Sequence, residues 1–109
     1  MKRKQITVSP GEVVREELSE RGWTQQEFAD IVGKSRQFVS SFLHGRSHLT
    51  FDLAYRLEAA LDVPAPTWLK MESLYRSRLE KKQIDLIKKE VSMRAKQSEV
   101  AERRVKYNR

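Results

Sequence analysis

The chain has no cysteine among its 109 residues. Disulfide frames and thiolate metal sites are thereby excluded, and a reducing cytoplasm is the compartment that fits. Histidine is nearly as scarce: His44 and His48 stand alone, and neither has an acidic or thiol partner at a catalytic or metal-ligand spacing. There is no glycine-rich phosphate loop and no serine nucleophile elbow. The residues therefore do not describe an enzyme, and they imply no metal and no cofactor. Glu16, Glu17 and Glu20 are better read as the solvated face of a helix than as a cation cluster. No apolar run approaches the roughly 20 residues of a membrane span, and Met1–Lys4 leads into no secretory segment. A soluble, cytoplasmic protein is expected.

What is present is positive charge, +7 in all, which favours a polyanionic partner. Its distribution says more than its total. Residues 80–109 hold ten Lys/Arg and five Asp/Glu, hence +5 of the +7. Residues 1–79 carry only +2, and Lys2, Arg3 and Lys4 alone supply three positive charges. Any nucleic-acid affinity of residues 9–79 must come from local placement of charge rather than from a broad basic field.

Helix boundaries are well marked. Ser9 can cap a helix that has Pro10 at its first position and Glu12 to close a capping box. That helix ends at Gly22, with Val13, Val14 and Leu18 inward. Thr24 and Glu27 form a second capping box, and Ser35 caps a third helix that Gly45 ends. Thr50 starts a fourth, whose inward set is Leu53, Ala54, Leu57, Ala60 and Leu61. After Val63-Pro64-Ala65-Pro66, a fifth carries Trp68, Leu69, Met71, Leu74, Tyr75 and Leu79. From Glu80 onward a charged helix keeps only a narrow stripe of Ile84, Ile87 and Val91, continued weakly by Ala95 and Val105. The expected organisation is a basic arm over 1–8, a helical domain over 9–79 and a basic helical extension over 80–109.

Thr24 to Gly45 is the most informative stretch. Ala29 lies four residues before Gly33, with apolar Phe28, Ile31 and Val32 on one side of the glycine and Val39, Phe42 and Leu43 on the other. Two short helices crossing at close range need that arrangement. With Val39 and Phe42 buried, helical rotation puts Gln37, Ser40, Ser41 and His44 on the opposite face, flanked by Arg36. That face suits base edges: glutamine pairs bidentately with adenine, arginine with guanine. Gln25, Lys34, Ser35 and Arg46 surround it and suit phosphate contacts. Phe38 borders the buried face, where it can pack or touch a thymine methyl. The bland alternative is a helical hairpin whose polar side is merely solvated.

Residues 9–79 resemble the HigA-type antitoxins, a branch of the lambda-repressor-like (Xre) helix-turn-helix proteins. The resemblance rests on Ser9-Pro10-Gly11-Glu12-Val13-Val14-Arg15-Glu16-Glu17-Leu18, Trp23-Thr24-Gln25, Ala29, Ser35-Arg36-Gln37, Val39-Ser40, Leu43 and Gly45. Leu49-Thr50, Ala54, Arg56-Leu57-Glu58, Trp68-Leu69 and Tyr75 continue it. It implies an all-α fold, a five-helix lambda-repressor-like domain with a C-terminal helical extension. It also implies a repressor domain paired with neutralisation of a RelE-like, mRNA-cleaving toxin. A homodimer on a palindromic operator in double-stranded DNA is expected because one module of this size makes too few base contacts for operator-level affinity. Ser41 and His44 depart from the family pattern, so the preferred DNA sequence does not carry over; Lys34 and Phe38 depart from it in and just after the turn, and Pro66-Thr67 at the start of the fifth helix, whose details do not carry over either.

Three readings stay open. Trp68, Leu69 and Tyr75 form either the closing layer of the core or a two-fold dimer seam. Lys2-Arg3-Lys4 follow DNA as an arm or are a solvated tail. Residues 80–109 extend a dimer, wrap a partner protein through Ile84, Ile87 and Val91, add unspecific nucleic-acid affinity, or fray in solvent. As whole-protein functions, the antitoxin competes with a solitary phage or chromosomal repressor and with an RNA-binding or scaffolding protein.

Overall fold

The capping residues do start the helices, and for the expected reason: each gives an otherwise unpaired backbone N–H an acceptor. In α1 (Pro10–Arg21) the Ser9 hydroxyl accepts from Glu12 N at 3.2 Å while the Glu12 carboxylate accepts from Ser9 N at 3.2 Å. In α2 (Gln25–Val32) Thr24 and Glu27 repeat the exchange at 3.0 and 2.9 Å. Ser35 caps α3 (Arg36–Leu43), and Thr50 caps α4 (Phe51–Leu61), each through its hydroxyl oxygen. The remaining helices are α5 (Ala65–Leu79) and α6 (Lys81–Glu102). These six helices belong to a computed structural model that describes residues 8–102, with side chains to Ser98. The basic residues Lys2, Arg3 and Lys4, and Val105, lie outside the described residues.

Gly22 and Gly33 end their helices at φ 72° and 73°, where a β-carbon would be strained. Asp62 ends α4 the same way at φ 62°, an option open to a short polar side chain. The turn from α4 to α5 is closed by Glu58, whose carboxylate accepts from Ala65 N at 2.7 Å and so caps α5 from the preceding helix.

One core joins Val14 and Leu18 of α1, Phe28, Ala29 and Val32 of α2, and Val39, Phe42 and Leu43 of α3. Leu49, then Leu53, Ala54, Leu57 and Leu61 of α4, then Ala65 and Trp68, complete it. Helix α3 packs on both α1 and α2, and α2 packs on α4. One close approach was passed over in the sequence reading. A β-carbon on Gly11 would run into the backbone carbonyl oxygens of Phe42 and Leu43, the latter at 2.8 Å. Only glycine lets α1 seat on the C-terminal end of α3. Ile31, expected beside the crossing, is instead half exposed, because Phe28, Ala29 and Val32 take the inner face of α2.

The chain divides into two compact units, the first ending at Arg78 and the second beginning at Leu79. The extension expected from residue 80 is helical as α6, and Glu80 interrupts it from α5. Within α6, Lys81–Asp85 and Arg94–Glu90 pair one turn apart at 2.9 Å each. Leu86, Ile87, Val91 and Met93 are exposed, and Ile84 is half-buried. No helix among the described residues is long and apolar enough to cross a membrane.

Candidate nucleic-acid interface

Helix α3 is two-faced because its apolar residues fall three and four apart. Val39, Phe42 and Leu43 are 1–2% exposed, so the rotation of the helix is locked against the core. Arg36, Gln37 and His44 are exposed, and Ser40 and Ser41 are half-buried on the flank. Four of the candidate base-reading residues thus lie off the packed side of α3, and the fifth, His44, stands at its C-terminal cap. Phe38 packs against the core at its margin.

The chemistry of each is set locally. The Ser35 hydroxyl accepts from Phe38 N at 3.0 Å, so its oxygen serves the helix start. His44 Nδ1 lies 2.8 Å from the carbonyl oxygen of Ser40. A carbonyl only accepts, so Nδ1 carries the proton and Nε2 of the neutral ring is left as an acceptor. Gln25 stands at the first position of α2, half-buried, and Arg46 is exposed in the loop after α3.

Lys34 is not simply a free cation beside the turn. Its Nζ lies 3.2 Å from Asp52 Oδ2 and 5.0 Å from the centre of the Phe38 ring. The same carboxylate accepts from Arg56 Nε at 2.8 Å, and Arg56 Nη1 donates to the carbonyl of Val32 at 2.7 Å. Val32 is the last residue of α2, whose final carbonyls have no partner within the helix. Arg56 therefore ties α4 to the turn that aims α3. The hydrogen bond from Arg56, then that from Lys34, hold the Asp52 carboxyl below its ordinary range. Sequence reasoning missed Asp52 and Arg56 as part of the site, although their spacing of four on a helix is a pairing signal.

A second tie holds the loop behind α3. Arg76 Nη2 donates to the carbonyl of Ser47 at 3.1 Å, and Arg76 Nε donates to Glu72 Oε2 at 2.8 Å. His48 Nδ1 is 3.7 Å from that carboxylate oxygen. Trp68 is 1% exposed and belongs to the core, whereas Leu69 and Tyr75 are half-buried. Tyr75 stands near the loop: its hydroxyl would lie 3.6 Å from a β-carbon on Gly45. No group of three or more His, Cys, Asp or Glu among the described residues could hold a metal ion.

Residues 14–68 match the helix-turn-helix family HTH_3, a span that covers half of the chain and contains α2, the turn and α3. No curated protein matches the chain. Among solved structures it is similar to the antitoxin GraA, at 28% identity over 73% of this chain and 87% of that one, with a TM-score of 0.68. The same antitoxin in complex with its operator gives 28% identity over 76% and 85%, with a TM-score of 0.65. The antitoxin HigA of Pseudomonas aeruginosa, solved with the higBA promoter, is 26% identical over 72% and 91%, with a TM-score of 0.64. On its own residues and on that match, the chain belongs to the helix-turn-helix family, in its Xre-like branch, with the HigA-type antitoxins among its structural relatives.

Proposed function

We propose that this protein is a sequence-specific, DNA-binding transcriptional repressor and the antitoxin of a type II toxin–antitoxin pair, which neutralises a RelE-like, mRNA-cleaving toxin and represses its own operon. The observation that carries the reading is the division of α3: one side sealed in the core, the other presenting Arg36, Gln37, Ser40, Ser41 and His44. Solved relatives that carry operator or promoter DNA support it. Arg36 and Gln37, at the N-terminal end of α3, read base edges. Ser40, Ser41 and His44 extend the reading face. Gln25, Lys34, Ser35 and Arg46 set its register on the phosphates.

The protein acts as a homodimer on a palindromic operator, because one module of this size makes too few base contacts for operator-level affinity. Leu69 and Tyr75, with the exposed Leu74, supply apolar surface on α5 for the seam, while Trp68 supports them from within the core. The toxin covers the stripe of Ile84, Ile87 and Val91 on α6, a helix with no buried residue among those described. A 22-residue helix with so narrow an apolar face is marginal in water, and a protein partner gives it the burial it lacks.

The experiment is a tagged full-length chain expressed together with its genomic neighbours, followed by footprinting on the upstream DNA. Co-purification of a small basic ribonuclease and protection of a two-fold symmetric site would support both halves. Protection without a co-purified partner would reduce the reading to a solitary repressor. Binding to RNA with no protection of DNA would overturn it.

A further inference from the structure

Asp52 stands where it competes with DNA for Lys34. The Lys34 ammonium is held by the carboxylate at 3.2 Å on one side and by the Phe38 ring at 5.0 Å on another. Its side chain is 27% exposed, so it lies folded along the protein rather than out in solvent. Lys34 immediately precedes Ser35, the residue that caps α3, which is where a backbone phosphate arrives if α3 enters a groove. Arg56 shares the Asp52 carboxylate but is also held by the Val32 carbonyl at 2.7 Å, so its place does not depend on Asp52 alone. Lys34 has no such second hydrogen bond to a backbone carbonyl in this network. It is the cation that can leave.

We infer that Asp52 sets the DNA affinity of this domain by keeping Lys34 in an internal ion pair that a phosphate must break. The inference rests on the DNA-reading role of α3 proposed above. When Lys34 moves to a phosphate, one ion pair opens as another forms. The vacated carboxylate takes up solvent cations, which partly cancels the counterions released from the duplex. Lys34 then adds less than the ~0.9 of logarithmic salt slope expected for each phosphate contact. The carboxylate also repels the phosphate that displaces it. Residues 5–79 hold nine Lys/Arg against ten Asp/Glu, so no wide positive field masks the effect of a single local charge.

The test uses full-length wild type, Asp52→Asn, Lys34→Ala and the double variant, titrated against operator and random-sequence duplexes across salt. The Asp52→Asn change keeps an amide oxygen for Arg56 while it removes the charge and turns one acceptor oxygen into an N–H donor; Asp52→Ser, which adds no N–H donor, serves as a second variant, and circular dichroism confirms that each one folds. Asp52→Asn is expected to tighten binding to both duplexes about three- to tenfold per protomer near 0.1 M salt. It should also steepen the slope by up to ~0.9 per protomer. Lys34→Ala alone should flatten the slope by clearly less than that, and in the Lys34→Ala background Asp52→Asn should give only the small gain from relieved carboxylate–phosphate repulsion, with no steepening of the slope. An equal gain from Asp52→Asn with and without Lys34 would overturn the inference, since Asp52 would then act by general repulsion. So would an unchanged slope. If wild type binds neither duplex, the DNA-reading role itself has failed, a result distinct from either of these.

Discussion

Gly11→Ala sets two effects of opposite sign against each other. Glycine in a helix interior costs roughly 0.5–1 kcal/mol relative to alanine, and at most that in the first turn where Gly11 stands, so intrinsic propensity alone predicts a more stable protein. The structure predicts the reverse. The added methyl would meet the carbonyl oxygens of Phe42 and Leu43, the latter at 2.8 Å, and these are backbone atoms that cannot rotate aside. Overpacking of this kind costs about 1–3 kcal/mol, with the upper end expected where backbone is struck. The net loss should be about 2 kcal/mol, which for a domain of this size lowers the melting temperature by roughly 10 °C. Because the struck carbonyls belong to the last residues of α3, relief of the clash must shift the helix that carries Arg36 and Gln37. Operator affinity should therefore fall further than the unfolded fraction accounts for. Calorimetric or circular-dichroism melting of the variant, with binding measured well below its melting temperature, checks both points. An unchanged or raised melting temperature would refute the argument, because propensity would then have outweighed the close approach.

Two further outcomes follow from burial and charge. Trp68→Ala should cost about 3–5 kcal/mol through the cavity it leaves, a loss seen in thermal melts at every protein concentration; a loss that appears only on dilution would mark Trp68 as a seam residue instead. Asp52 is held below its ordinary value of 3.8, so its contribution to stability is present above that pH and is lost as pH falls through the lower folded value. The gap in melting temperature between wild type and Asp52→Asn should then be open at neutral pH and close below about 3.8; a gap that stays constant into acid would contradict the ion-pair geometry.

What could be read from the sequence was local. Ser9 with Glu12, and Thr24 with Glu27, lie three residues apart, so their capping boxes need no tertiary knowledge. The 3.6-residue period that buries Val39, Phe42 and Leu43 is likewise written within eight residues. Contacts between distant segments left no such mark. Gly11 looks like part of a helix start, and only the packing of α1 on α3 shows why a methyl is excluded there. Asp52 and Arg56 have a pairing spacing on α4, but that the pair reaches Lys34 and Val32 across the fold has no local signature. Trp68 sat on a helical stripe whose spacing could not say whether it faced the core or a second subunit, and burial places it inside.

The most direct test of the account is the affinity of full-length wild type, Arg36→Ala and Gln37→Ala for the operator and for every single-base variant of one half-site. Each substitution is predicted to cost roughly 1–3 kcal/mol and to flatten selectivity at one base position per half-site, leaving the other positions discriminated as before. Losses of equal size on all sequences, or no loss at all, would mean that the exposed side of α3 does not read DNA.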